Sequence, residues 1–142
     1  MDEVMNSLLI HVHDLCVIWM TLVIWIVQLR IYPHFRSVRA SEFRLFHERH
    51  CRRITWVVWP MFVELLLCGM ILYRFGPQTG WVIQMGGILL TFGATAFLSV
   101  PEHNRLGLGK DKRSIERLIR TNWVRTFSWT VMLLELTLRR LA

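Results

Sequence analysis

Residues 81–100 carry no charge. A helix needs about 20 predominantly apolar residues to cross the hydrocarbon of a bilayer, and this stretch has that length. Residues 8–29 contain a second such run, LCVIWMTLVIWIV, and residues 54–73 a third. A fourth segment, 121–138, is weaker. It carries Arg125 and Glu135, and its uncharged part, 126–134, is too short to span alone. Composition agrees with a membrane protein: 54% of residues are hydrophobic and 19% charged, against about a quarter charged in soluble domains. Seven Trp and eight Phe exclude disorder, and eight Gly and four Pro exclude a collagenous or low-complexity chain. Three scattered Cys do not make a disulfide scaffold. The expectation is one integral membrane domain over residues 1–142. Its fold class is all-α: a four-helix transmembrane bundle of two out-in-out hairpins with amphipathic cytoplasmic connecting segments.

The basic residues orient it. Seven arginines lie between residues 30 and 53, and six Lys and Arg between residues 105 and 120, so thirteen of the seventeen fall in two connections. Short loops rich in Lys and Arg stay cytoplasmic. Both connections are therefore expected inside and both termini outside, in a multi-pass protein of the cell membrane. A three-span reading would bring Arg139 and Arg140 inside as well; four spans pair every helix into a hairpin. The net charge of +7 then reflects contact with anionic lipid headgroups at the cytoplasmic face and calls for no nucleic acid. The partners expected are the bilayer, those headgroups, and further copies or subunits of a membrane complex. The first segment opens Met1-Asp2-Glu3 and has no small-x-small cleavage site, unlike a signal peptide.

Both connections share a grammar. Each begins at a proline followed by a histidine, Pro33-His34 and Pro101-Glu102-His103, where the chain is expected to turn. An amphipathic stretch then runs unbroken into the next span. In the first, Phe43, Phe46, His47, His50 and Ile54 recur at helical spacing, with Ser41 as the expected N-cap. In the second, Ile115, Leu118 and Ile119 form the stripe, with Asp111 or Ser114 as cap. Arg53-Ile-Thr-Trp56-Val57 and Arg120-Thr-Asn-Trp123-Val124 are also alike, as two hairpins of one parallel repeat would be. Known catalytic patterns fail. His47-Glu-Arg-His50 lacks the spacing of a zinc protease, Gly107-Leu-Gly109-Lys110 that of a P-loop, and the cysteines make no C-x-x-C.

One constellation survives. Gln28, Arg30 and His34 close the first span, His47 and His50 precede the second, His103 and Asn104 follow the third, and Asn122 and Arg125 open the fourth. All four helices thus bring polar groups to one membrane level, where ionisable groups are costly and default to function. Asn122, Arg125 and Trp129 share a helix face. Three readings compete. His47 and His50 are interfacial and Arg125 snorkels to lipid phosphate; or His47, His50 and His103 hold a metal or haem; or Gln28, Asn122, Arg125 and Trp129 bind an anionic or quinone-like headgroup while a histidine moves protons. In the last two, His47, His50, His103 and Arg125 are the catalytic candidates.

Glu64 is an intramembrane acid one turn after Pro60, about 21 Å along a straight helix from His50. It is expected either to bond Thr91 or Thr95 on a neighbouring helix or to relay protons. His11, His13, Asp14 and Glu135 are expected to wet the outer interface, the alternative being that they pair with one another.

The run Phe43-x-x-Phe46-His47-x-x-His50-x-Arg52-Arg53-Ile54, with Pro60 to Glu64, Pro101-x-His103 and Asn122-Trp123-x-Arg125-Thr126-x-x-Trp129, resembles a group of small bacterial multi-pass membrane proteins of uncharacterised function. The Asn122/Arg125 neighbourhood and the topology are also similar to the anthrone-oxygenase-like membrane proteins, four-helix bundles with a polar motif opening the last span. That similarity implies oxygen chemistry on a small aromatic or quinol-like substrate. The expected function is a redox or oxygenase-like enzyme with its site at the inner leaflet. The competing class is a non-catalytic accessory subunit or a small transporter.

Overall fold

The computed structural model describes residues 2–142, which are helical apart from short turns, with no strand among the described residues. Four rods account for them. The first joins α1 (Asp2–Ile26) to the short α2 (Tyr32–His34) through a π-turn, Val27–Ile31. The second joins α3 (Ala40–Val57) to α4 (Pro60–Phe75). The third joins α5 (Thr79–Ala94) to α6 (Val100–Leu108) through a second π-turn, Thr95–Ser99. The fourth is α7 (Lys112–Leu141). The first three rods are long and apolar enough to cross a membrane. α7 is longer than any other single element but carries more ionisable groups. α1 packs on α4 and α7, and α5 packs on the same two, so the four rods close on one another.

Inside lie Val17, Met20, Ile88, Trp129 and Met132, with a second cluster of Leu9, Ile71 and Trp81 nearer the termini. Outside, Leu22, Leu66, Leu89, Phe127, Val131 and Leu134 are all more than half exposed. Rods apolar on both faces suit a hydrocarbon solvent, not water. α5 and α7 approach closely where side chains vanish: a Cβ on Gly87 would lie 2.6 Å from Met132 Sδ. Ser128 Oγ donates to the Gly87 carbonyl there at 2.7 Å.

The chain turns directly after Pro33-His34, over residues 35–38, as the sequence suggested, but not at Pro101, where α6 runs on to Leu108. Each proline sits two residues past a π-turn, in which Tyr32 N–H reaches Val27 O and Val100 N–H reaches Thr95 O, five residues back. The extra residue in the turn accommodates the missing proline donor; the first rod then ends at His34, whereas the third continues to Leu108. The expected unbroken run into the second span is instead interrupted at Val58–Trp59, before Pro60. Met61 N–H bonds Val58 O at 3.0 Å. The Val57 carbonyl thus freed accepts from the Trp19 indole, also at 3.0 Å. Ser41 is not a cap: α3 starts from Arg39, with no side-chain cap bond. Asp111 does cap α7, accepting from Ser114 N–H at 2.9 Å and Arg113 N–H at 3.3 Å. Hydrogen bonding from Ser114, side chain first and then backbone, together with Arg113 N–H, holds its carboxyl below the usual range.

The connections are stitched to each other. Lys110 Nζ donates to the carbonyls of Arg36 and Val38 at 2.7 and 2.6 Å. Arg36 grips Glu116 with two bonds of 2.6 Å, which lowers the Glu116 carboxyl pKa. Buried Glu102 takes Arg105 and Arg117 at 3.0 and 3.1 Å, tying α6 to α7. The end of the molecule holding these connections is the proline end; the other holds both termini.

Candidate functional site

The two π-turns build the site at the proline end. A π-turn carries one extra residue and so rotates everything after it by about 100° relative to a continuous α-helix. In the first rod it carries Gln28, and Tyr32 follows it; both are buried. In the third rod it carries Thr95, and His103 follows on α6. α3 contributes His47, His50 and Cys51, and α7 contributes Asn122, Arg125 and Thr126.

Arg125 points inward. Its Nη2 donates to Tyr32 Oη at 3.0 Å and to Asn122 Oδ1, while Nη1 reaches Thr95 Oγ1 at 3.5 Å. Asn122 Nδ2 donates to Gln28 Oε1 at 2.8 Å, and Gln28 Nε2 to the Ile119 carbonyl at 3.2 Å. No ion pair among the described residues includes Arg125, and its Nε is buried without a partner. The guanidinium is held by neutral groups only.

Tyr32 Oη continues to His103 Nε2 at 3.2 Å, and His103 Nδ1 to His47 Nε2 at 3.0 Å. Cys51 Sγ lies 3.5 Å from His47 Nε2 and 3.8 Å from His103 Nδ1. Three metal-ligating atoms therefore form a triangle. Tetrahedral bonds of about 2.0–2.1 Å to nitrogen and 2.3 Å to sulfur place ligand atoms about 3.3 Å (N to N) and 3.6 Å (N to S) apart. The observed edges fit that geometry. They do not fit a haem between the two histidines, whose axial nitrogens would lie about 4 Å apart, twice a metal–nitrogen bond. Tyr32, on the far nitrogen of His103, fixes the ring as outer partners of ligating histidines do. His50 stands beside the triangle, its ring 5.9 Å from that of His103 and 5.0 Å from that of Phe35. Its Nε2 is buried without a partner.

Next to His50 a cleft of about 950 Å³ opens between α1 and α3. Trp19, Val23, Ile26, Ile54 and Val57 make apolar walls, and His34, Arg39, Arg49 and Arg53 a basic rim. Of the polar groups that the sequence brings to this level, His50 and His34 line it. His47, His103, Gln28, Asn122 and Arg125 lie behind it in the hydrogen-bonded group. Trp129 is fully buried in the core, with its carbonyl accepting from Thr21 at 3.1 Å.

Sequence reasoning missed Tyr32 and Cys51. Cys51 had a signal, four residues after His47. Tyr32 had none, because its direction depends on the π-turn before it. Glu64 bonds neither Thr91 nor Thr95. It lies against His13 and Cys68, outside this site. Nor do the outer polar residues simply wet the interface. His13 and Asp14 are buried. Asp14 takes Arg140 and Arg139, and Glu135 takes Arg139 at 3.2 Å. Of that group His11 is exposed. Bonding between rods removes these groups from water, which a reading of one helix at a time does not reveal.

No protein-family model matches the chain, and no curated protein or solved structure matches it.

Proposed function

We propose that the chain is a redox or oxygenase-like membrane enzyme acting on a small amphipathic, quinone-like substrate in the inner leaflet. In this reading all four rods span as a four-helix bundle, both termini are outside and the proline end is cytoplasmic. The basic connections support that orientation. The apolar outer face of α7, with Phe127, Val131 and Leu134 exposed, supports a fourth span. Cysteine labelling tests the sidedness: an impermeant reagent outside intact cells should leave a Lys110→Cys chain lacking its native cysteines unmodified. Labelling there would reverse the orientation.

The observation that carries the function is the seating of His50 between the amphipathic cleft and the His47–Cys51–His103 triangle. Apolar walls suit an aromatic ring or short tail, and the basic rim suits polar oxygens. His50 is placed to take a proton from a substrate hydroxyl. Two histidines and one cysteine are a donor set for copper, which accepts single electrons, and for zinc. Tyr32, itself held by Arg125, holds His103, and the unpaired guanidinium favours a developing anion nearby. Oxidation of a quinol releases two electrons and two protons; with dioxygen as acceptor the products are quinone and hydrogen peroxide. The similarity of the Asn122/Arg125 neighbourhood to the anthrone-oxygenase-like proteins points the same way.

The burial of Gln28, Asn122 and Thr126 around Arg125 favours a second reading, a non-catalytic accessory subunit. One experiment separates them. The full chain, purified in detergent and supplied with copper, should show a thiolate-to-metal band that Cys51→Ser abolishes. A short-chain benzoquinol should bind, and Ile54→Trp, which fills the cleft, should prevent it. Absence of both the band and the binding would leave the accessory reading standing.

A further inference from the structure

A second set of donors lies in the other half of the molecule. His13 on α1 and Tyr32 are 19 residues apart, about 28 Å along a helix, so the two sets are independent. His13, Glu64 and Cys68 are 0%, 0% and 1% exposed. Glu64 and Cys68 are one turn apart on α4, and α1 packs against α4. One donor atom from each residue falls within 4.8 Å of the other two.

The group is poorly satisfied as it stands. Cys68 donates to Glu64 Oε1 at 3.2 Å. His13 Nδ1 is 2.7 Å from the same oxygen, but without the alignment of a hydrogen bond, and neither ring nitrogen has a partner. Glu64 Oε2 is also unpartnered. Two buried, fully enclosed polar side chains left this way are costly. The nearby cations are already engaged. Arg139 and Arg140 hold Asp14, and Arg139 also lies 3.9 Å over the Trp81 ring, whose edge meets His13 at 5.4 Å.

We propose that His13, Glu64 and Cys68 form a binding site for a divalent transition-metal ion of the zinc class. Imidazole nitrogen, carboxylate oxygen and thiolate sulfur are the ligand types such ions take. Charge favours it in a low-dielectric interior. Without metal the three groups sum to a net charge of zero: a protonated thiol, and one ionising proton on either Glu64 or His13. Binding releases these two protons, and the resulting complex, one divalent ion with a thiolate, a carboxylate and a neutral imidazole, again sums to zero. The ion satisfies the orphaned nitrogen and oxygen without placing a net charge among apolar helices.

Cobalt(II) provides the probe. In a full-length His47→Ala/Cys51→Ser background, which removes the other triangle, the metal-free protein should bind one Co²⁺ per chain with a thiolate-to-cobalt band. Cys68→Ala should abolish the band and weaken binding at least a hundredfold, whereas Cys16→Ala on the same α1 face should leave both. In the unsubstituted chain, Zn²⁺ should slow alkylation of Cys68 by a permeant maleimide at least tenfold, read by mass spectrometry, so the result does not depend on any variant folding. No cobalt band in the background protein with unchanged Cys68 alkylation would overturn the site. So would a band that survives Cys68→Ala. Loss of the Cys51-dependent band alone would bear on the redox reading and not on this one.

Discussion

Arg125 and Tyr32, 93 residues apart in sequence, meet at 3.0 Å through guanidinium and phenol oxygen. The contact joins α7 to α2, just past the π-turn of the first rod. Because the same phenol oxygen stands 3.2 Å from His103 Nε2, it also joins both to α6. One hydroxyl is thus shared by a cation without a counter-charge and an imidazole that faces the His47–Cys51 pair.

Tyr32→Phe tests that sharing. It removes the oxygen and little volume, leaving Arg125 Nη2 with Asn122 alone and His103 Nε2 bare. We expect a folded protein destabilised by about 1–3 kcal/mol, the cost of unsatisfied buried groups. Metal affinity at the His47–Cys51–His103 triangle should fall about 10- to 100-fold, as when a ligating histidine loses its outer partner. Thermal unfolding in detergent and metal titration measure the two effects. An unchanged melting temperature and affinity would show that the hydroxyl has no such role.

Arg125→Lys should fail almost as badly as Arg125→Ala. The guanidinium reaches Tyr32, Thr95 and Asn122, each on a different rod or turn; a lysine ammonium keeps the charge but not the planar fork. Benzoquinol affinity should drop at least tenfold in both variants. Wild-type binding by the lysine variant would mean that charge alone matters there.

Deleting Leu29 removes the extra residue and closes the π-turn Val27–Ile31 to an α-turn. The residues after it then keep their direction relative to α1, because the turn had absorbed one residue beyond the α-helical repeat. Helical content by circular dichroism and the Cys51-dependent metal band should both survive. Loss of the band would show that the wider turn itself, and not only the register it sets, aims Tyr32.

Gly87→Ala places a methyl group 2.6 Å from the Met132 side chain, whereas a methyl on Gly93 meets nothing within 4 Å. The first substitution should destabilise by about 1–3 kcal/mol, as overpacking does, and the second by far less. Unfolding midpoints of the two variants, compared with the wild type, provide the check. Equal midpoints would mean that α5 and α7 can part without cost.

Residues 81–100 show how far the sequence reaches alone. Length and hydropathy are properties of a segment, so the apolar rods, the basic connections and the Asp111 cap are legible without tertiary information. Helical spacing likewise put His47 on the apolar face of α3, and the same period put Asn122 and Arg125 on one face of α7. The π-turns before Pro33 and Pro101 mark where that reach ends. A proline removes a donor whether or not a π-turn precedes it, and only packing against α7 and α3 selects the π-turn. The choice rotates Tyr32 and His103 into contact with residues 93 and 56 positions away. Glu64 is the same lesson at the other end. Its place on α4 was visible in the sequence. That it meets His13, on α1, was decided by which rods lie side by side, because a side chain's partner across a helix interface depends on rotation about two axes that no single segment records.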